Sequence, residues 1–201
     1  MIVLDGHTLD AESLWSIACD RAPVALGGEA RAAMADNHRA WLALDPPDIL
    51  ARKEAWLVGT QNLDASEEQR IKAFVLGHCA GVGEPLPPHH VRALMACRAN
   101  VLATGLSGAR PEAAQALVDA LNDGVIPKIP SQGSVGAAGD LAPLAHLARV
   151  IFGLGGELLE GQHPRPFQPT PKEALAFING ATLTVAQGAL AVCRALRLMR
   201  M

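Results

Sequence analysis

The sequence predicts a mainly α-helical protein, and three observations carry this prediction. Half of its 201 residues are hydrophobic, which is enough to bury a core. Only 3% are aromatic and none is tyrosine, while alanine, leucine and glycine dominate, a composition that suits packed helices better than sheets. Apolar residues also recur at helical spacing in segments that begin at capping residues or prolines.

The sequence of the first part of the chain predicts an extended segment followed by two helices. Residues 1–7 read as an extended segment that ends in a turn, after which Thr8 can cap a helix that Pro23 closes. A second helix is predicted over residues 29–44, where its apolar residues are roughly aligned. The run Asp45-Pro46-Pro47 stops it, because the residue before a proline is pushed out of the helical region.

The middle of the chain predicts three more helices with clear boundaries. The run from Ser66 to Gln69 is a capping box, so a helix should follow it and end near Gly77. Pro88 fits the first turn of a helix that runs to Thr104, with a glycine just past its end. A further helix is predicted over residues 111–121, also opened by a proline.

The last third of the chain alternates extended and helical segments. Residues 125–130 must be extended because they contain two prolines, and a helix is predicted from Leu141 to Phe152 with Asp140 as its N-cap. Residues 157–162 are predicted to form one arm of a small hairpin, and a last helix is predicted over residues 182–201. Its apolar arc is wider than one face, so this helix needs neighbours on several sides.

The glycine-rich run from Gly133 to Gly139 is the stretch with the strongest functional signal. Such a loop can bind phosphate, form an active-site turn or simply separate two secondary-structure elements. Its glycines fall at steps of three, which matches neither the dinucleotide fingerprint nor the P-loop. Nucleotide binding is therefore not indicated.

The run from Gly133 to His146, Gly-Ser-Val-Gly-Ala-Ala-Gly-Asp-Leu-Ala-Pro-Leu-Ala-His, resembles the signature of the histidine and aromatic amino-acid ammonia-lyases. The resemblance implies the N-terminal part of their helical, aspartase-like fold and a role in eliminating ammonia from an amino acid. In that family an Ala-Ser-Gly triad cyclises into the electrophile methylidene-imidazolone (MIO). Ala137, Ala138 and Gly139 occupy the triad positions here. Because Ala138 replaces the serine, the β-hydroxyl that must leave is missing, and we expect no cofactor in this chain.

Two further runs match motifs of the same family. The run Gly77-His78-Cys79-Ala80-Gly81-Val82-Gly83-Glu84-Pro85-Leu86 is similar to Ser-His-x-x-Gly-x-Gly-x-Pro-Leu, which implies that His78 lies beside the substrate pocket. The run 172–181 resembles Lys-Glu-Gly-Leu-Ala-Leu-x-Asn-Gly-Thr, which implies that Asn179 lies near the amino acid. From the residues alone, a histidine at a helix end interacts with the last carbonyls, and an asparagine before glycine is a turn residue.

Other features depart from the family pattern or concern packing. The family carries a tyrosine loop, and the nearest run here, from Trp56 to Leu63, lacks the tyrosine. The resemblance covers less than half of a normal family member, so we expect this chain to lack the second half, which carries the remaining bundle helices. We therefore expect one domain over residues 1–201, with a degenerate leader and loop region over 1–65 and a motif-bearing helical part over 66–201. The polar residues Arg92, Arg98 and Asn100 are interpreted as inter-helix hydrogen bonding and subunit contacts.

Two functional hypotheses follow from these observations. The chain is either a member of the family described by ammonia elimination, or a non-catalytic pseudoenzyme or split subunit that acts in binding or oligomerisation. Both hypotheses are compatible with an amino-acid ligand. Both are also compatible with a homo-oligomer or with a complex in which another chain supplies the missing helices. The net charge of −3 provides no basic face for nucleic acid, and the four cysteines have no metal-binding spacing. No signal peptide or membrane span is indicated, so we expect a cytoplasmic protein.

Overall fold

The computed structural model describes residues 1–43 and 65–200, and it confirms the mainly helical fold. In chain order the elements are β1 (Ile2–Leu4), α1 (Ala11–Ala18), β2 (Val24–Leu26), α2 (Gly28–Ala43), α3 (Glu67–His78), β3 (Val82–Pro85), α4 (Pro88–Ala103), α5 (Pro111–Asn122), β4 (Ile126–Pro127), β5 (Pro130–Gln132), a 3-10 turn (Gly136–Ala138), α6 (Leu141–Ile151), β6 (Leu158–Glu160), α7 (Pro171–Ile178) and α8 (Thr182–Met199).

Helix α4 lies at the centre of the packing. It contacts α1, α5 and α8, and eleven of its sixteen residues are buried. Alanines at positions 93, 96 and 99 have no exposed surface, and their small side chains let neighbouring helices approach closely. A second group of helices forms where α6 packs against α3 and α7. The glycine-rich loop enters this second group at the start of α6.

Short strands connect the elements around the glycine-rich loop. Strand β3, which follows α3, pairs antiparallel with β5, which leads into the loop, and Val82 lies opposite Gln132. The pairing brings the chain segment after His78 alongside the segment before Gly133. The extended path predicted for residues 125–130 is confirmed by β4 and the start of β5.

Two predictions for the N-terminal region are wrong. Asp10, not Thr8, caps α1, because the Asp10 carboxylate accepts a hydrogen bond from the Ser13 amide. The Thr8 hydroxyl instead donates to the Asp5 carboxylate at 2.7 Å. Helix α1 ends at Ala18, well before Pro23, and the chain then forms β2, which pairs in parallel with β1.

The predicted hairpin arm over residues 157–162 is corrected by the structure. Strand β6 does form there, but its partner is β4, with Ile126 opposite Glu160. The two strands are separated by the glycine-rich loop and the whole of α6. The arm therefore belongs to a long-range pairing, which local turn signals do not reveal.

The helix boundary signals of the middle region are confirmed. The Ser66 hydroxyl accepts a hydrogen bond from the Gln69 amide, and the Gln69 side chain accepts one from the Ser66 amide. Prolines occupy the first turns of α4 and α5. Gly105 follows α4 with a φ of +76°, a conformation that a residue with a Cβ rarely adopts.

Helix α8 is apolar on two faces. Leu183, Ala186 and Leu190 are buried in the core, whereas Val185 and Val192 are 61% and 56% exposed. Within the described residues, the stretch Pro171–Met199 is long and apolar enough to cross a membrane by length and composition, and 33% of its most apolar window is buried. The wide apolar arc predicted for this helix is therefore present, and one side of it has no cover in the described part of the chain.

Candidate functional site

The three triad positions lie in a tight turn between β5 and α6. The Gly139 amide donates to the Gly136 carbonyl at 3.0 Å, and the Val135 amide donates to the Gly139 carbonyl at 2.9 Å. Gly139 has a φ of +133°, and a Cβ at this position would lie 2.8 Å from a side-chain carbon of Leu141. Ala137 and Ala138 are exposed, whereas Gly139 is buried. The turn thus requires glycine at its third triad position and presents the first two to solvent.

Asp140 anchors this turn to the start of α8. Its amide donates to the Gly180 carbonyl at 2.8 Å, and its fully buried carboxylate accepts from the Thr184 amide at 2.9 Å and the Thr184 hydroxyl at 3.1 Å. The Ser134 hydroxyl also donates to this carboxylate and accepts from the Gly136 amide. The prediction that the Asp140 side chain caps α6 is therefore wrong. It satisfies a free amide in the first turn of α8 instead.

Asn179 lies next to this anchor. It is the exposed residue at the end of α7, and the carbonyl of the following Gly180 is the one that accepts from Asp140. The hydrogen bond from the Asp140 amide to the Gly180 carbonyl thus joins the segment that follows the three triad positions to the segment that follows Asn179. Its role towards an amino acid stays a prediction.

His78 is connected to the same region by the residues that follow it in the chain. It ends α3, half-buried, with its Nδ1 atom 2.8 Å from the Phe74 carbonyl and its ring packed on Phe74 at 4.7 Å between centroids. Three residues later, Gly81 lies so close to the loop that a Cβ on Gly133 would be 3.1 Å from the Gly81 Cα. A role for His78 beside a substrate stays a prediction.

Sequence reasoning assigned no role to His146, which fixes the contact between these two segments. The Gly81 amide donates to the His146 Nε2 atom at 3.3 Å. Burial, together with the nearby positive charge of Arg149, lowers the pKa of His146 and favours the neutral form that accepts this hydrogen bond. The sequence motif includes His146, but it does not reveal that Gly81, just before β3, is its hydrogen-bond partner.

The residues of this loop do not fit the self-derived MIO group. The exocyclic methylidene requires a leaving hydroxyl on the middle residue, and the side chain of Ala138 is a methyl group. The predicted counterpart of the tyrosine loop, from Trp56 to Leu63, lies outside the described residues. Across residues 1–43 and 65–200, no group of three or more histidine, cysteine or acidic side chains could hold a metal ion.

Comparison with known proteins identifies the family. A model of the aromatic amino acid lyases matches residues 57–201. The chain belongs to the aromatic amino acid lyase family. Among similar members, a probable histidine ammonia-lyase from Halobacterium salinarum is 38% identical over 99% of this chain and 41% of its own length. A histidine ammonia-lyase from Gloeobacter violaceus is 39% identical over the whole of this chain and 42% of its own length.

Solved structures that are similar to this chain agree with this assignment. The crystal structure of histidine ammonia-lyase from Trypanosoma cruzi is 32% identical, with a TM-score of 0.78 over 99% of this chain and 41% of that one. Tyrosine aminomutase from Streptomyces globisporus is 30% identical, with a TM-score of 0.77 over 97% of this chain. The predicted helical ammonia-lyase fold is thus confirmed. The chain spans about two-fifths of the length of the relatives it matches.

Proposed function

We propose that this chain is a lyase-family protein that does not itself eliminate ammonia from an amino acid. The observation that carries the proposal is the methyl side chain of Ala138 at the centre of the triad turn. Without a β-hydroxyl there is no group to leave, and the electrophile on which the family chemistry depends does not form. These 201 residues also contain no tyrosine, so the run from Trp56 to Leu63 supplies no phenol that could act as a catalytic base.

The intact mass of the purified chain tests this proposal directly. We expect the mass of the unmodified sequence, no new near-ultraviolet absorbance and no ammonia release from histidine or an aromatic amino acid. Loss of two water masses, together with borohydride-sensitive ammonia release, would contradict the proposal. The variant Ala138→Ser restores the leaving group, so dehydration of this variant alone would identify the missing oxygen as the cause.

The same proposal assigns the chain a role in association, supported by the uncovered face of α8. Val185, Val192, Leu196 and Met199 recur along one side of this helix and are exposed. Transfer of such side chains out of water contributes about 1.5 to 3 kcal/mol for each one fully buried. A second copy of the chain, or a chain that supplies further helices, would cover this face. Helix α8 is thus the proposed contact surface.

Light scattering with charged variants tests this association. We expect the wild-type chain to self-associate as its concentration rises, and the double variant Val192→Glu and Leu196→Glu to remain monomeric. Leu106→Glu is a matched control, because Leu106 is 88% exposed but lies in the turn after α4 and is not part of α8. A wild-type chain that stays monomeric and binds no hydrophobic dye would contradict the proposed contact surface.

A further inference from the structure

A cavity of about 320 Å³ opens at the end of α6, on the side where β4, β5 and β6 meet. Lys128 lines it from the link between β4 and β5, His146 and Arg149 line it from α6, and Glu157 lines it from the segment before β6. This volume is at the lower end of the range of small-molecule sites, which is roughly 300 to 1,000 Å³. The three triad positions and His78 are not among its lining residues. The function assigned to the triad turn therefore leaves this cavity unexplained.

Arg149 is the group in this cavity whose donors are not satisfied. It lies in the last turn of α6, partly buried, and its Nε atom is buried without a hydrogen-bond partner. Across residues 1–43 and 65–200, no carboxylate forms an ion pair with its guanidinium. Arg110, which is also partly buried, instead donates through Nε and Nη2 to Glu173. A guanidinium that has lost water without gaining an acceptor is costly, so a ligand with acceptor oxygens would stabilise it.

The glycines after α6 restrict the position of the Arg149 side chain. A Cβ on Gly155 would lie 3.6 Å from the Arg149 Nη2 atom, and a Cβ on Gly156 would lie 3.7 Å from the Arg149 Cδ atom. Gly156 has a φ of +105°, which a residue with a Cβ rarely adopts, and it also lines the cavity. The backbone of this turn therefore packs directly along the arginine. A side chain held in this way loses little conformational freedom when it binds a ligand.

A second cation and an anion lie at the same cavity. The Lys128 ammonium donates to the Glu157 carboxylate at 2.7 Å. This contact holds the pKa of Glu157 below its usual value, and the charge of Arg149 lowers it further, so both cations stabilise negative charge here. Lys128 also has Glu84 nearby, which leaves Arg149 as the less compensated cation. The Glu157 side chain is 75% exposed, and because surface ion pairs are weak, its carboxylate can turn to solvent and give up its place.

We propose that this cavity binds a phosphate group, with Arg149 as the principal receptor and Lys128 as the second cation. The guanidinium offers paired N–H donors that match two phosphate oxygens, and the ammonium adds a compact charge. A phosphate group carries about 1.5 to 2 negative charges at pH 7, more than the single charge of Glu157, so it competes for both cations. The group belongs to inorganic phosphate or to a small phosphate ester. This site does not depend on whether the chain eliminates ammonia.

An NMR titration of the intact wild-type chain tests the site. Sodium phosphate is titrated at about pH 7 against sodium chloride at equal ionic strength. The Arg149 Nε–Hε signal and the amide signals of Gly155 and Gly156 are followed. Arg149→Gln removes the receptor, and Glu157→Gln removes the competing carboxylate. Arg39→Gln is the matched control, because Arg39 lies in α2 and its side chain is 72% exposed.

The variants should change the affinity in opposite directions. In the wild-type chain we expect a saturable shift with half-saturation on the order of 1 mM. Glu157→Gln should bind phosphate more tightly, and Arg149→Gln should bind it about tenfold more weakly, because a charge-assisted hydrogen bond is lost. Arg39→Gln should match the wild type. The gain expected in Glu157→Gln cannot arise from a chain that fails to fold.

A parallel titration with glycerol phosphate distinguishes the two sources. Half-saturation at a lower concentration than with inorganic phosphate supports an ester, whereas equal or weaker binding supports the free anion. Shifts that do not saturate, that chloride reproduces or that persist in Arg149→Gln would overturn the proposal. Arg149 would then act only as a cation at the C-terminal end of α6, where the helix dipole favours positive charge.

Discussion

Two buried polar junctions join α7 and α8 to the rest of the molecule, and they are built differently. At the first, Glu173 of α7 has no exposed surface and accepts from Arg110 through Nε at 2.8 Å and Nη2 at 2.7 Å. At the second, Asp140 is equally buried but accepts only from neutral donors of Thr184 and Ser134. Arg98 of α4 is also buried and lies against Gly180, in the turn between α7 and α8, without an ion pair among the described residues.

The two junctions differ in how their buried charges are compensated. The Arg110–Glu173 pair is complete, because the carboxylate also accepts from the amides of Arg110 and Thr170, which closes a capping box at the start of α7. The second junction contains a buried cation and a buried anion that do not pair with each other. Among the described residues, Arg98 donates to the Thr182 hydroxyl at 3.4 Å, whereas its buried Nε atom has no hydrogen-bond partner. A buried charge with so little compensation is costly for stability.

Removing Glu173 should have the largest effect on stability. Glu173→Ala leaves the partly buried Arg110 without its anion and opens the capping box, and we expect a loss of about 3 to 5 kcal/mol in the free energy of unfolding. Urea denaturation followed by circular dichroism measures it. Glu29→Ala, in the exposed first turn of α2, is the control and should change stability by less than about 0.5 kcal/mol.

The contribution of Glu173 also has a defined pH dependence. Burial raises the pKa of this carboxyl, but the hydrogen bonds from Arg110 and Thr170 outweigh it and hold the pKa below the usual value of 4.5. Its stabilising effect is therefore present above pH 4.5 and is lost as the pH falls through the lowered pKa. The difference between wild type and Glu173→Ala should shrink on acidification. A difference that stays constant would contradict the ion-pair explanation.

Asp140→Ala should have an intermediate effect. It removes three hydrogen bonds from one carboxylate, at a cost of about 2 to 3 kcal/mol, whereas Asp140→Asn keeps one acceptor oxygen and should cost about half of that. Hydrogen exchange of the Thr184 amide is the specific readout, since this amide loses its acceptor only in the alanine variant. If Thr184 exchange is unchanged, the junction does not depend on Asp140.

Much of this fold could be predicted because its signals are local. The capping box at Ser66 and the prolines at the starts of α4 and α5 act within a few residues, and the structure reproduces them. Strand β2 and the pairing of β6 with β4 were missed, because three residues show no periodicity and each partner lies far away in the chain. Asp10 was missed as a cap because Thr8 offered a similar side chain two residues earlier.

The candidate site was predicted as a set of segments but not as a set of contacts. Family motifs located the triad positions and Asn179, and the structure brings them to one junction. The partner of Asp140, Thr184, is 44 residues away, and no sequence pattern connects the two. That Arg98 forms no ion pair with the described residues was equally invisible, because the chain has 20 acidic residues and their distances from Arg98 depend on the tertiary fold.

The smallest expected effect concerns the hydrogen bond between Gly81 and His146, which holds the segment after His78 against the glycine-rich loop. Because burial and Arg149 lower the pKa of His146, the unfolded chain takes up a proton at a higher pH than the folded chain does. Stability should therefore be full above the ordinary histidine pKa of 6.5 and decrease as the pH falls below it.

Urea denaturation from about pH 8 to about pH 6 measures this decrease. His146→Gln removes the titrating group, and the difference between its pH slope and that of wild type isolates His146 from the other histidines. Equal slopes for His146→Gln and wild type would mean that protonation does not break the contact. The Gly81–Gly133 approach would then depend on β3–β5 pairing alone, because that ladder does not titrate.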